Sequence, residues 1–517
     1  MKCLNDLLGN CGECRPRQEK QCAFGDFWIG SGAHVLVIVL LATLACSVPA
    51  FAANRPNILL VITDQQSADV MSCRMGNQYI NTPAMDSLAA SGVLFTRAYA
   101  SNPLCMPLRN SLFTGRYPHE TGVTKNGRPE GGNLAPEFIC MGTYLRDAGY
   151  ETAYSGKWHL CLNEKAPETH GFEILDSKSR VAPPEDDNYD SRVARGAVEF
   201  LGRQHDKPFL LVVSLMNPHN ICEWARRGAG RPQRLSCGEI GTPPDLDELP
   251  PPPANLEPPR NEPDGMTLIR RAYQVPDGKF PVGDFTEADW RKQRWGYYRM
   301  VEKVDGEIAK VLTALRNAGA EENTLVIFTS DHGDCTGAHR FNQKTVLYEE
   351  SARIPLIVSW KGKTKSATTD ELVNIGVDIL PTMMDCADIE QPQQLPGSSI
   401  LPLALGQPPE HWRTYLVAQN NLSQTGRVDG IQPTMQGRMV RTDRYKYCLY
   451  SHGIRREALY DMQEDPLETV NLAGVSEHRP IVLKHRQLLR DFAKRYADTL
   501  AVELLANDVA PRPFADE

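Results

Sequence analysis

The residues best suited to chemistry lie in Pro103-Leu104-Cys105-Met106-Pro107-Leu108-Arg109-Asn110-Ser111-Leu112-Phe113-Thr114-Gly115. Pro107 suits the first turn of a helix, where its missing N–H is not needed, and Gly115 suits the far end. Leu108 and Leu112 are four apart and share one face. The spacing predicts a short helix with Cys105 at its N-terminus and Arg109 over the same turn. Such a terminus gathers free N–H groups and a partial positive charge. With an Arg fork beside it, it can hold an anion. A cysteine alone reads as a small buried hydrophobe, so the reading depends on what the rest of the chain brings.

Four apolar runs elsewhere end in polar residues. Residues 57–63 lead into Asp64-Gln65, and 324–330 into Asp331-His332-Gly333. Residues 209–215 lead into Asn217-Pro218-His219, and the shorter 150–155 into Gly156-Lys157-Trp158-His159. Continuous apolar runs mark strands buried on both faces of a parallel sheet. In open α/β sheets ligands bind outside the carboxyl ends of the strands. Read singly, each polar residue only starts a loop or caps a helix. Read together, the four ends make a metal-and-anion constellation.

The elements between these runs are helical. Met300, Val301, Val304, Ile308, Val311, Leu312 and Leu315 form a core-facing stripe that should stop near Gly319. Further helices are expected over residues 82–92 and 372–386, the latter after a strand at 355–358. Alternating β and α units imply a large mixed, mostly parallel sheet flanked by helices. Prolines 243, 244 and 250–253 exclude interior helix or central strand, and residues 222–290 are expected as an extended surface insertion. After about residue 410 the runs 415–418, 438–441 and 445–450 alternate like antiparallel strands, and a helix over 479–497 closes the chain. The expected organisation is a leader and signal peptide (1–53), a catalytic domain (54–410) and a smaller α+β domain on a short antiparallel sheet (411–510).

Cys105-x-Pro107-x-Arg109 resembles the core motif of type I sulfatases, members of the alkaline-phosphatase superfamily. Residues 149–159 resemble the second sulfatase motif, 343–350 the segment with the family's substrate lysine, and 459–473 its C-terminal domain. The resemblance spans about residues 55–473. It implies that Cys105 is oxidised to formylglycine, whose hydrate is the nucleophile. It implies a divalent cation held by Asp64, Gln65, Asp331, His332 and an oxygen of modified Cys105. That cation is most often calcium in the family; hard oxygen ligands suit Ca²⁺ or Mg²⁺, and the His nitrogen admits Mn²⁺. Arg109 would help polarise the hydrate. Lys157 and Lys344 would neutralise sulfate oxygens, and His159 would be the base that restores the aldehyde. His219 and Lys344 would protonate the leaving oxygen. Gln65 and His332 replace carboxylate or amide ligands of many relatives. Met106 and Leu108 are bulkier than the small residues usual in the motif.

The expected reaction is hydrolysis of a sulfate ester, on a sugar or glycan by family habit. A formylglycine-generating enzyme would be a partner during maturation. Two rivals stand beside it. One is a phosphonate monoester or phosphodiester hydrolase of the same superfamily, and the other a non-catalytic glycan-binding relative. The chain has 517 residues and a formal charge of −8, which argues against nucleic acid or an anionic membrane surface as partner. The apolar run 34–45 followed by Ala50-Phe51-Ala52 reads as a signal peptide, so an exported, periplasmic or secreted protein is expected. An uncleaved anchor or a lipid-anchored start at Cys46 are the alternatives, and Cys11-x-x-Cys14 is a weak metal or redox hint. Of 14 cysteines, five precede Ala53. The remaining nine fit an exported protein with some disulfides.

Overall fold

The computed structural model describes residues 55–506, except 130–131, 178–187 and 276–279. The leader, its Cys11-x-x-Cys14 and Cys46 therefore lie outside the described residues. Strands are numbered in chain order: β1 (Asn57–Asp64), β2 (Gly92–Phe95), β3 (Ala98–Tyr99), β4 (Glu151–Gly156), β5 (Glu173–Ser177), β6 (Phe209–Pro218), β7 (Thr324–Ser330), β8 (Leu356–Ser359), β9 (Ala367–Thr369), β10 (Val373–Asn374), β11 (Tyr415–Leu422), β12 (Met435–Thr442), β13 (Tyr445–Tyr450) and β14 (Glu457–Asp461).

The main sheet runs β5-β4-β6-β1-β7-β8-β2-β9. β5, β4, β6, β1 and β7 are parallel, and β8 enters antiparallel to both β7 and β2. β1 shows why its run is unbroken. Ile58, Leu60 and Ile62 pack on one side with the helices Cys105–Thr114 and Ile375–Cys386. Leu59 and Val61 pack on the other with Tyr189–Leu201 and Glu287–Asn317. Both faces are covered, so neither can be polar.

Register places the chemistry. Thr63 pairs with Ser330, so Asp64 and Asp331 leave adjacent strands side by side. Gly156 pairs with Ser214, which brings Lys157 beside β6. Gly156 has φ +116, and a Cβ there would lie 2.0 Å from Ser214 O, so only glycine lets the chain turn.

The antiparallel sheet β11-β12-β13-β14 covers the C-terminal part. Val417, Val440, Tyr447 and Leu459 pack on the helix Arg479–Tyr496. Contrary to expectation this helix does not close the chain, because a further helix, Thr499–Ala506, follows and buries Ala501, Leu504 and Leu505 in the same core. Leu416, Met439, Cys448 and Tyr460 pack on the opposite side with Met266, Ile269 and Tyr273. Those last three belong to the helix Asp264–Gln274. The Pro-rich stretch is thus not wholly a surface loop. It spends one amphipathic helix as the wedge behind the small sheet, while the prolines of 243–258 stay irregular.

The disulfide expectation fails. All nine cysteines of the described residues are free, and eight of them are buried. Several serve as small apolar fillers in separate parts of the core, Cys140 and Cys161 in one and Cys335 and Cys448 in another. Among the described residues no helix is long and apolar enough to cross a membrane.

Candidate active site

Cys105 is the first residue of the Cys105–Thr114 helix, and Gly115 ends that helix in the left-handed region (φ 67). Arg109, one turn on, is fully buried. Its Nε donates to Asp331 Oδ2 (2.9 Å) and its Nη2 to Asp64 Oδ2 (3.2 Å). Its Nη1 donates to Ser214 Oγ (2.6 Å) and Lys157 O (3.2 Å). One guanidinium thereby ties β1, β4, β6 and β7 together. A buried fork of this kind keeps its charge: burial works against it, but Asp331 and Asp64 raise its pKa further.

The four strand ends converge as the spacing suggested. Lys157 Nζ donates to Asp64 Oδ2, and Lys344 Nζ to Gln65 Oε1. Burial and Asp64 push the Cys105 thiol up, but Lys157, Lys344 and His332 outweigh them and hold it well below the usual thiol range. His219 feels Lys344, Asp64, Lys157 and Cys105. Burial and Lys344 keep its imidazole well below the ordinary value. His159 leaves β4 on the same edge, half-buried with φ 48, and its Nδ1 has no hydrogen-bond partner. Neither its ring nor that of His219 makes a side-chain hydrogen bond to the cluster among the described residues, whereas Arg109, Lys157, Lys344 and His332 do.

The donor set suits a divalent cation. Ligand atoms of Asp64, Cys105, Asp331 and His332 all lie within 4.8 Å of one another. Asp64 Oδ1 is buried and has no hydrogen-bond partner, a cost that a cation would remove. His332 Nδ1 lies 2.9 Å from Gly333 O. A carbonyl only accepts, so Nδ1 carries the proton. Nε2 faces inward, 3.1 Å from Cys105 Sγ and 3.4 Å from Asp331 Oδ1, where it would offer its lone pair to a bound cation. Gly333 is required here, because a Cβ would lie 1.9 Å from Glu350 O.

Residues 56–389 match the Sulfatase family model. Residues 337–495 match that of the N-sulphoglucosamine sulphohydrolase C-terminal region. The chain belongs to the sulfatase family. It is 31% identical over 471 residues to the Delta 4,5-hexuronate-2-O-sulfatase of Bacteroides thetaiotaomicron, covering 88% of this chain and 92% of that one. A solved 2-O GAG sulfatase superposes with TM-score 0.74 at 28% identity, over 89% of this chain and 96% of that one. The phosphonate monoester hydrolase of Agrobacterium radiobacter superposes at 0.65 with 23% identity, over 86% and 96%, and shares the fold. This sulfatase is thus a sulfuric ester hydrolase of alkaline-phosphatase-like architecture. The family match outweighs both the phosphonate-hydrolase and the non-catalytic reading.

Sequence reasoning missed two residues of the sulfatase site. Ser214 sits inside the apolar run of β6, and its polarity there was the available signal; it bonds Arg109 and Lys157 O (3.0 Å). Asp334, three residues after Asp331, takes the Gln65 amide N–H at 2.5 Å. The two bulky motif residues are also explained. Leu108 is fully buried, and Met106 packs at the edge of the same core while its N–H donates to Asn126 Oδ1 (3.3 Å).

Proposed function

We propose that this sulfatase removes sulfate from a sugar, through formylglycine made from Cys105 and a divalent cation held by Asp64, Gln65, Asp331 and His332. The observation that carries the reading is the ligand cluster around Cys105, ringed by the buried cations Arg109, Lys157 and Lys344. Two carboxylates and an amide oxygen favour Ca²⁺ or Mg²⁺, with the His nitrogen admitting Mn²⁺. When present, the aldehyde hydrate supplies the attacking oxygen and the cation polarises it.

The chain's own residues do the rest. Arg109 fixes Asp64 and Asp331 against the strand ends. Burial pulls the Lys344 pKa down, but Cys105 and Asp64 raise it on balance, so the ammonium persists. With Lys157 it neutralises charge growing on the sulfate oxygens. His219 rests neutral. The negative charge of an arriving sulfate raises its proton affinity, so it and Lys344 can protonate the leaving oxygen, each worth ~10²- to 10⁴-fold. His159, with its open Nδ1, is the base that restores the aldehyde.

A 2-O-sulfated hexuronate is the first substrate to try, given the relatives above. On the same reading the leader of 1–53 exports the protein, the formylglycine-generating enzyme acts before folding, and residues 54–410 and 411–510 form the catalytic and smaller domains. The test is mass spectrometry of tryptic peptide 98–109 from cells with the modifying machinery. It is paired with sulfate release from a sulfated disaccharide and with a matched phosphonate monoester. A thiol-to-aldehyde change with preferential sulfate release supports the proposal. An unmodified Cys105 in active, metal-replete protein overturns it.

A further inference from the structure

Gln65 is fixed at four atoms. Its N–H donates to Asp331 Oδ1 (3.1 Å), and its carbonyl accepts from the Tyr297 hydroxyl (2.6 Å). Its side-chain amide lies between opposites. Nε2 donates to Asp334 Oδ2 (2.5 Å), and Oε1 accepts from Lys344 Nζ. Gln65 and Asp334 are 0% exposed and Lys344 6%. A carboxylate only accepts and an ammonium only donates. The amide therefore fits one way round. Reversed, its oxygen would face a carboxylate and its NH₂ an ammonium, with no water to relieve either. Cys222 Sγ, 3.7 Å from Nε2 and 3.9 Å from Oε1, does not choose between them.

We propose that Asp334 is a positioning residue that turns the Gln65 carbonyl oxygen, rather than its NH₂, toward the cation site. The inference rests on the metal-site reading above. Asp334 is itself held for this role. Its Oδ1 accepts from Thr336 N–H (2.7 Å), its Oδ2 from Gln343 N–H (3.2 Å), and its own N–H donates to Ser67 Oγ (3.0 Å). It stands two residues after His332. One loop thus supplies two ligands from β7 and orients a third on β1. The left-handed backbone of Gln65 (φ 75) brings its amide down onto that loop.

The test is calorimetric titration of the purified full-length enzyme with CaCl₂, which reads binding without turnover. An Asn amide can meet either end of Gln65, so Asp334→Asn should weaken Ca²⁺ binding about 10- to 100-fold. Gln65→Glu alone sets a second carboxylate against Asp334. In the double variant Gln65→Glu/Asp334→Asn, the new carboxylate accepts from the Asn NH₂ and turns its other oxygen to the ion. The double variant should bind Ca²⁺ more tightly than either single variant, by about tenfold over Asp334→Asn. A merely structural role for Asp334 is not rescued by a change at position 65. Wild-type affinity in Asp334→Asn, or a double variant weaker than both singles, would overturn the inference. If Asp334→Asn does not fold, Gln65→Glu against the double variant decides alone. A wild-type enzyme that binds no divalent cation sinks the metal-site reading itself, and this inference with it.

Discussion

Of the buried charge clusters among the described residues, the active site and a second one are built to opposite ends. The second joins the small sheet to the segment after Lys344. Lys446 Nζ lies 3.1 Å from Glu349 Oε1 and 2.7 Å from Glu468 Oε1. Arg353 Nε donates to Glu349 Oε2 (2.9 Å), the Tyr99 hydroxyl donates to Glu349 (3.1 Å), and Glu349 N–H donates to Glu468 Oε2 (2.7 Å). This cluster carries its own cations, Lys446 and Arg353, between the carboxylates, although Glu350 Oε2 and His339 Nδ1 beside it have no hydrogen-bond partner. In the active site the charges share a gap instead: Asp64 Oδ1 has no partner and the Cys105 thiol is pulled down by cations on one side. His339, Glu350 and Glu468 also have metal-like spacing, yet the Lys446 ammonium already supplies positive charge at Glu468. Ligand-type residues at ligand-type spacing therefore do not define a reactive site. What sets the active site apart is that its cations, Lys157 and Lys344, act on a nucleophile-forming residue, Cys105, rather than only on carboxylates.

The strongest way to break this contrast is Cys105→Ala. Turnover should fall by ~10⁴-fold or more, as when an enzyme loses its nucleophile, while the melting temperature stays near wild type. Activity at wild-type level would place the chemistry elsewhere. Lys446→Met is the mirror experiment. It takes the cation from Glu468, leaving Glu349 with Arg353 alone, and should cost about 3–5 kcal/mol in denaturant unfolding while the folded fraction keeps its kcat. If kcat falls and stability does not, the two clusters have been assigned the wrong way round.

Smaller effects sharpen the picture. Lys344→Met should lower kcat by about 10²- to 10³-fold with a far smaller stability change than Lys446→Met. Chelation should abolish activity and lower the melting temperature in wild type, and CaCl₂ should restore both. The Lys446 cluster predicts no such dependence of its own, so Lys446→Met should keep the full calcium response.

The pH effect is the smallest. Burial, aided by Arg270 and Lys446, pulls the His339 pKa down to about 3. Its folded value lies below the ordinary 6.5, so the unfolded chain binds the extra proton. Stability from this group is present above about pH 6.5 and is lost as pH falls toward 3. The melting temperature of wild type minus that of His339→Gln should shrink on acidification over that window. A difference that grows would reverse the assigned sign.

Much of this was legible from local pattern. The runs ending at Asp64, Lys157, His219 and Asp331 are strands, the stripe 300–315 is a helix, and Cys105 does open a helix that Gly115 closes. The Asp264–Gln274 helix was hidden because the surrounding prolines dominate the composition, and its apolar positions 266, 269 and 273 only make sense against the small sheet. Asp334 was hidden because a carboxylate just after a strand end looks like any loop residue until its partner is known.

By itself, then, the sequence determined which segments are strands or helices and which polar groups stand at their ends. Burial on two faces or one is a periodic, local property, and it is written residue by residue. Tertiary structure alone decided that β4, β6, β1 and β7 are neighbours in that order. It alone set Cys105 Sγ 3.1 Å from His332 Nε2 across 227 residues. It also decided that the nine cysteines of the described residues stay unpaired and that the Gln65 amide has one orientation. Each of these depends on which distant groups meet in a water-free interior, where an unmatched charge or reversed amide is costly and no local spacing records the partner.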